Sequence, residues 1–181
     1  MAGETNRNSF EGKRMRILGI DPGSSATGFG VVERRSSQLL HVAHGVVRPP
    51  SGAAMPLKLD HLYRTLTEII VRYAPDCSAV EQVFVAVSPR SALVLGQARG
   101  VALAALGAAG LSVAEYTPSQ VKLAVTGSGR APKSQVKHMV RRMLDLERTP
   151  AEDAADALAV AICHAHHRAT RTRLAALEAA S

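Results

Sequence analysis

The sequence predicts an α/β fold in which a five-stranded mixed β-sheet is flanked by α-helices. Apolar runs of strand length alternate with longer segments of helical periodicity, and a Pro-Gly turn joins the first two runs. Of the 181 residues, 46% are hydrophobic, which is enough for the chain to bury a core of its own. Because aromatic residues make up only 3% of the chain and Trp is absent, that core must be aliphatic.

The composition also limits where the protein works. Cys77 and Cys163 lie far apart and fit neither a disulfide framework nor a CxxC site, which favours a reducing cytoplasm. No segment approaches the roughly 18 apolar residues of a membrane span, and the N-terminus lacks the apolar core of a signal peptide. We expect residues 1–14 to be a disordered lead, residues 15–167 to form the folded domain and residues 168–181 to be a basic tail.

The first hairpin carries the earliest candidate for chemistry. Ile17, Leu18 and Ile20 suit a strand that is buried on both faces. The turn at Pro22-Gly23 follows, so the next apolar run returns as a hairpin partner. Asp21 therefore stands at the end of a core strand, where an unpaired carboxylate is costly. An isolated Asp in this setting is more often a turn cap than a functional group, so its role depends on whether other acids join it.

The next segments add two strands and a crossover helix. A third strand is predicted over Leu39–Arg48, and a helix with one apolar face follows from about Pro56 to Tyr73. Cys77–Val83 is an apolar run of strand length that carries Glu81. A hairpin, a strand, a helix and another strand in this order indicate a mixed sheet with helices packed on it.

A long helix rich in Gly and Ala is predicted over Ser91–Gly110. Its small side chains would let another backbone approach closely, which fits packing against a second copy of the chain, but a plain core helix explains the pattern equally well. Ser112–Tyr116 is predicted as the fifth strand. Thr117 then opens a short helix that runs through Val125.

Positive charge is concentrated in one stretch of the chain, whose net charge is +7. Between Gln120 and Met143 there is no acidic residue. A helix that starts at Pro132 has an apolar stripe on one side and basic residues at four-residue steps on the other. This asymmetry favours a nucleic-acid partner over a solvated face. The six basic residues of the stretch are Lys122, Arg130, Lys133, Lys137, Arg141 and Arg142.

The last predicted helix combines acids with an apolar core. Thr149 and Glu152 have the spacing of a capping box, with Pro150 at the first helical position. Asp153 and Asp156 are three residues apart and so project from one side of the helix. The segment that follows, ALAVAIC, is apolar all round, which is typical of a buried helix.

Acids on three separate core elements suggest a metal centre. If these acids converge, their like charges repel unless a cation lies between them. Carboxylate oxygens suit Mg²⁺ or Mn²⁺, and a pair of such ions roughly 3.5–4 Å apart can activate water and stabilise the leaving oxygen in phosphodiester hydrolysis. The sequence therefore predicts a metal-dependent nuclease. The candidate ligands are Asp21, Glu81, Asp153 and Asp156.

The three histidines of HAHH do not fit that centre. His164 lies eleven residues beyond Asp153, which is about 16 Å along a helix at 1.5 Å per residue. It therefore cannot share the ion, and we expect His164, His166 and His167 to be surface residues at a helix end.

Several short motifs follow one another in a characteristic order: GIDPG with TG after it, EQVF, SALVLGQARG, TPSQVK, AVTG, KSQV and DAADALAVAICH. From about Met15 to His167 the chain closely resembles the RuvC family of bacterial Holliday-junction resolvases. The resemblance implies an RNase H-like fold and a homodimer. It also implies paired symmetrical, Mg²⁺-dependent nicks at four-way junctions in recombination and repair, with one or two ions per subunit, Mn²⁺ able to substitute, and 5′-phosphate and 3′-hydroxyl ends.

The resemblance also implies roles for single residues and partners. The four acids correspond to the metal-binding catalytic residues of the family, Phe84 to its DNA-stacking aromatic, and Lys122 and Lys133 to its DNA-contacting lysines. The GQARG helix resembles the family's dimer element, which decides in favour of self-association. RuvA and RuvB, the branch-migration proteins, are the expected partners.

One segment departs from the family pattern. Where related sequences often have Ala-Lys-Asn, this chain has Ala86-Val87-Ser88, so a probable phosphate contact is missing. We expect Arg90 to replace that lysine, and Arg130 and Lys137 to complete the DNA-binding surface.

Three other functions compete with this interpretation. Actin-like ATPases and sugar kinases open with a similar Asp-x-Gly hairpin, but they need two such domains around the nucleotide and this chain has one. A related RNase H-like nuclease acting on RNA is disfavoured by the EQVF and GQARG motifs. A DNA-binding module without catalysis is disfavoured by four intact acids.

Overall fold

Five strands form one mixed sheet in the order β3-β2-β1-β4-β5, which confirms the predicted fold class. The computed structural model describes residues 14–23, 25–82 and 88–179, so most of the predicted lead lies outside the described residues. The elements are β1 (Met15–Asp21), β2 (Thr27–Arg35), β3 (Gln38–Val47), α1 (Met55–Tyr73), β4 (Cys77–Glu81), α2 (Pro89–Ala108), β5 (Val113–Tyr116), α3 (Pro118–Thr126), α4 (Lys133–Met143) and α5 (Glu152–Glu178).

Strand pairing follows from the order of the elements along the chain. The hairpins make β1–β2 and β2–β3 antiparallel. Helices α1 and α2 are crossovers, so β4 runs parallel to β1 and β5 runs parallel to β4. Except at the C-terminal end of α5, the element bounds agree with the sequence predictions to within about two residues, the usual uncertainty at an element's end.

The alternation of side chains along the inner strands divides the core into two layers. Ile17 of β1 packs with Cys77 and Ala79 of β4 against α3, α4 and α5. Leu18 and Ile20 point the other way and pack against α1 and α2. Both layers are aliphatic, and β1 is buried on both faces as its sequence predicts.

Helix α5 lies directly on the backbone of the first hairpin. A Cβ atom at Gly19 would collide with the carbonyl oxygen of Ala157, and one at Gly28 would collide with the carbonyl oxygen of Asp153. Only glycine allows this approach, since it has no Cβ. The two glycines therefore fix how closely the acidic start of α5 comes to the end of β1.

The predicted capping box at the start of this helix is wrong. Helix α5 begins at Glu152, and its N-cap residue, Ala151, provides no side-chain cap. Because Ala151 keeps an extended backbone with ψ of 153°, Thr149 is too far upstream to cap the helix. A true capping box starts α3 instead, where Thr117 and Gln120 exchange hydrogen bonds of 2.8 and 3.2 Å.

The expectation that His164 is a surface residue is also wrong. The helix does not end there but continues to Glu178, so it includes much of the predicted basic tail. His164 is buried, and its Nδ1 atom lies 2.9 Å from the hydroxyl oxygen of Tyr116. Burial lowers the pKa of His164 to about 4. His167 stacks on the other side of the same tyrosine ring, at 5.0 Å between centroids.

Helix α2 differs from the sequence expectation in another way. Among the described helices it is long and apolar enough, by length and composition alone, to cross a membrane, so the prediction that no segment approaches a span is wrong by that measure. Its inner side packs Ala98 and Ala102 into the layer shared with α1, and Arg99 pairs with Glu115 of β5 at 2.6 Å. Only 22% of the apolar stretch of this helix is buried within the subunit.

Replacing Gly28 by alanine tests the close approach of α5. We expect Gly28→Ala to lower the free energy of unfolding by about 1–3 kcal/mol, because the new methyl group overpacks the contact with the Asp153 carbonyl. Chemical denaturation measures the effect. Val71→Ala is the matched control, since Val71 is 77% exposed on α1 and loses no buried contact. Equal stability of both variants would contradict the contact.

Candidate active site

Two of the predicted acids end neighbouring strands. Asp21 is the last residue of β1 and Glu81 is the last residue of β4. Because Ile20 stands opposite Val80 in this parallel pair, the two acids lie side by side at one edge of the sheet. Strand alternation turns both toward the layer that contains α5. The two carboxyl groups interact, and each changes the pKa of the other.

Helix α5 brings the other two acids to the same place. Gly28 pairs with Asp21 across the hairpin and touches the backbone of Asp153, so the first turn of α5 lies over the end of β1. Asp153 and Asp156 both act electrostatically on Asp21. The structure thus brings together all four acids that the sequence singled out. We call these residues the carboxylate cluster: Asp21, Glu81, Asp153 and Asp156.

The pKa values of three acids in the cluster are raised. Burial, followed by the charges of Glu81, Asp156 and Asp153, raises the pKa of Asp21 to about 8. The pKa values of Glu81 and Asp156 are raised as well, mainly by burial. In the absence of a cation, the protonated form of Asp21 is therefore favoured at neutral pH.

The chemistry of the donors fits a divalent cation. Carboxylate oxygens are the ligands that Mg²⁺ and Mn²⁺ prefer, and a cation would relieve the repulsion that raises these pKa values. Within the described ranges, no three Asp, Glu, His or Cys side chains are arranged so as to hold a metal ion as they stand.

Basic side chains border the cluster on two sides. The Nζ atom of Lys133 lies 2.8 Å from Oε1 of Glu152 and 3.6 Å from Oδ2 of Asp156. On the opposite side, Nη2 of Arg48 lies 3.8 Å from Oδ2 of Asp153. The sequence analysis missed Arg48. In the sequence, Arg48 is recognisable only as a basic residue at the end of a strand, next to Pro49-Pro50. That position gives no indication that the end of this strand faces α5.

The other predicted DNA contacts divide into two groups. The positive charge of Lys122 works to lower the pKa of Glu81, and that of Lys137 works to lower the pKa of Glu152. Both lysines therefore lie on the side of the cluster that Lys133 occupies. Arg90 and Arg130 are exposed, at the start of α2 and in the loop before α4. Phe84 lies outside the described residues, and so do Ala86 and Val87 of the segment that differs from the family pattern.

One cavity lies away from the cluster. It has a volume of about 630 Å³ and lies between β3 and the loop that joins α4 to α5. His41 and His44 line it, and none of the four clustered acids does.

Comparison with known proteins matches the chain to one family. The family model described as crossover junction endodeoxyribonuclease RuvC matches residues 17–164. A RuvC from Alkalilimnicola ehrlichii is 56% identical over 159 residues, which cover 88% of this chain and 96% of the relative. The structure of Thermus thermophilus RuvC in complex with Holliday junction substrate is 34% identical to this chain and has a TM-score of 0.82. The match covers 87% of this chain and 97% of that one.

A more distant structure agrees on the fold alone. The yeast mitochondrial Holliday junction resolvase Ydc2 is 16% identical, with a TM-score of 0.60 over 82% of this chain and 77% of that one. Together with the closer structures, it confirms the RNase H-like architecture.

The protonated cluster predicts an unusual pH dependence of stability. Because the pKa of Asp21 is raised from 3.8 to about 8, the folded chain binds this proton more tightly than the unfolded chain, and stability falls as pH rises between these values. We expect metal-free Asp21→Asn to lose less stability than the wild type between pH 5 and 8.5. Its advantage at pH 8.5 should be about 1–3 kcal/mol, measured by denaturation in chelator.

Asp60→Asn is the matched control for this measurement. Asp60 is an exposed carboxylate on α1 that pairs with Arg64, so its removal should not change the pH slope. Parallel pH curves for the wild type and Asp21→Asn would contradict the raised pKa.

Proposed function

The chain belongs to the RuvC family of crossover junction endodeoxyribonucleases, and on that premise we propose that its carboxylate cluster is the metal-binding catalytic centre. As a member of this family, the protein is a Holliday junction resolvase that acts in recombination and repair. The observation that carries the proposal for the site is the convergence of the four acids from β1, β4 and α5 at one sheet edge.

We propose Mg²⁺ as the natural cofactor, with Mn²⁺ able to substitute. Asp21 and Glu81 would hold it from the sheet, and Asp153 and Asp156 from α5. When bound, the cation would supply an activated water and a stabilised leaving oxygen for phosphodiester hydrolysis, whether one or two ions are present. The raised pKa of Asp21 means that loading the site releases a proton.

The residues of the chain itself orient the DNA and hold charge. The backbone of α5 fixes Asp153 against Gly28, so the acids of the helix cannot withdraw from those of the sheet. Lys122, Lys133 and Lys137 place positive charge along one side of the cluster, where they would neutralise phosphates near the cut. With water as nucleophile and the bond from phosphorus to the 3′ oxygen broken, the products carry a 5′-phosphate and a 3′-hydroxyl.

Two symmetrical nicks require two such sites, and α2 offers the surface on which to join them. On its outer side, Leu93 is 65% exposed, and a Cβ at Gly96, Gly100 or Gly107 would meet nothing within 4 Å. The spacing of these four residues puts them on one helical face, opposite the buried Ala98 and its neighbours. We propose that this face is the homodimer contact, because an apolar helix face that the subunit leaves uncovered needs a partner.

The wider setting of the reaction is also a proposal. RuvA and RuvB, as branch-migration proteins, would deliver the junction, and the reaction would take place in the cytoplasm, where the chromosome and reduced cysteines coexist. Both cysteines are free and buried, in agreement with a reducing compartment.

A synthetic four-way junction tests the proposed function. Purified protein with Mg²⁺ should nick the junction symmetrically and largely spare a linear duplex of the same sequence. Asp21→Asn should abolish nicking yet retain junction binding, because the carboxylate holds the metal while the lysines hold DNA. Gel analysis of labelled strands gives the cut positions, and a binding assay gives the affinity.

Two results would contradict the proposal for the site. Undiminished cutting by Asp21→Asn would exclude the cluster as catalytic centre. Equal cutting of the linear duplex would exclude junction-specific action. The Asp60→Asn variant should cut like the wild type, because Asp60 is remote from the cluster and exposed.

A bulky residue on α2 tests the dimer contact. Gly100→Leu should fold normally, since a Cβ at this exposed position meets nothing within 4 Å and leucine favours a helix more than glycine does. It should shift the protein from dimer to monomer in sedimentation velocity and reduce paired nicking. An unchanged sedimentation coefficient would exclude this face as the contact.

A further inference from the structure

A second cleft adjoins the carboxylate cluster on the side away from Lys133. It has a volume of about 310 Å³ and lies between the β1–β2 hairpin, the turn after β3 and the start of α1. Arg48 and Lys58 stand among its lining residues, and its apolar part includes Leu62 and Ala98. None of the described residues that line it is acidic. We call it the Arg48 cleft.

Arg48 connects this cleft to the cluster. Its guanidinium lies 3.8 Å from the carboxylate of Asp153, and its side chain is 63% exposed. An ion pair between two such exposed side chains contributes little to stability, so the guanidinium remains free to meet a second anion. Lys133 holds the corresponding position beside Asp156. The cluster therefore lies between two cations, one at each side.

The position of Lys58 is not explained by helix stability. Helix α1 begins at Met55, so Lys58 lies at the end of its first turn, where the helix dipole disfavours a cation. This turn contains no acidic residue, and the N-cap residue Ala54 makes no side-chain hydrogen bond. A lysine at this point adds positive potential to the cleft that Arg48 lines.

A DNA strand that places one phosphate over the cluster must continue on both sides of it. On one side, Lys122, Lys133 and Lys137 are available to its phosphates. On the other side, the described cations that line the adjoining cleft are Arg48 and Lys58. The planar guanidinium of arginine matches the oxygens of a phosphate, and Lys58 supplies a point charge beyond it.

We propose that the Arg48 cleft binds the phosphodiester backbone of the strand being cut, on the side of the scissile phosphate away from Lys133. Arg48 and Lys58 each contact a phosphate there, and the strand crosses the cluster from one basic side to the other. This inference rests on the proposed function and adds to it the path of the substrate.

Junction binding at several salt concentrations, in chelator so that nothing is cut, tests the cleft. We expect Lys58→Gln and Arg48→Gln each to weaken binding by about 3–10-fold and to reduce the slope of log K against log salt by about 1. Arg64→Gln is the matched control, because Arg64 lies on the same helix, pairs with Asp60 and does not line the cleft. A slope for Lys58→Gln equal to that of Arg64→Gln would overturn the proposal.

Neutral methylphosphonates, placed one at a time along the cut strand, locate the contact. In the wild type, substitutions on one side of the scissile phosphate should weaken binding, and Lys58→Gln should be insensitive at one of these positions. Equal sensitivity of the two proteins at every position would overturn the proposal. Because Lys58 does not touch the carboxylates, its variant decides the matter even if Arg48→Gln perturbs Asp153.

The two proposals fail in different ways. If wild-type protein binds junctions but leaves them intact with Mg²⁺, the proposal for the catalytic site is refuted. The proposal for the cleft is then decided by the junction-binding measurements alone. Dissociation of the dimer by Lys58→Gln, seen in sedimentation velocity, would overturn the proposal by showing that a second copy of the chain occupies the cleft.

Discussion

The close packing of α5 on the first hairpin is the constraint on which the site depends. Two glycines in β1 and β2 let the helix backbone approach the sheet more closely than any side chain would permit. The segment of this helix from Ala157 to Cys163 is apolar all round, so its burial provides the free energy that holds the acidic start of the helix in place. The packing of α5 on the first hairpin therefore determines both the stability of the core and the positions of the acids.

That geometry forces like charges together. Four carboxylates from three elements converge at one edge of the sheet, and burial together with their mutual repulsion raises the pKa of Asp21 to about 8. Arg48 and Lys133 add positive charge at the two ends of the α5 pair. An arrangement that is unfavourable by itself and favourable with a cation is typical of a functional centre.

The two layers of the core give the molecule two different surfaces. The layer of α3, α4 and α5 presents the carboxylates together with Lys122, Lys133 and Lys137. The layer of α1 and α2 presents the outer side of α2, which is rich in glycine and largely unburied. A subunit built in this way can expose a charged surface to DNA and an apolar one to a second subunit without a conflict between them.

The sequence alone determined the fold class, the element order and the four acids, because periodicity and turn residues are local properties that the fold preserves. Asp21 and Glu81 were identifiable as charges that end apolar strands, and Asp156 as an acid leading into an apolar helix. The glycine-rich pattern of α2 likewise indicated a close helix contact, although the sequence could not say whether the contact lay inside the subunit or between two copies.

Tertiary structure decided what depends on contacts between distant segments. Thr149 has the spacing of a cap, but the extended Ala151 moves the helix start beyond its reach. His164 is polar, yet it is buried because α5 crosses the core and Tyr116 satisfies one ring nitrogen. Arg48 and Asp153 are remote in sequence, and only the register of the sheet and the approach of α5 make them neighbours. No local pattern records such a pairing, since its energy arises between elements rather than within them.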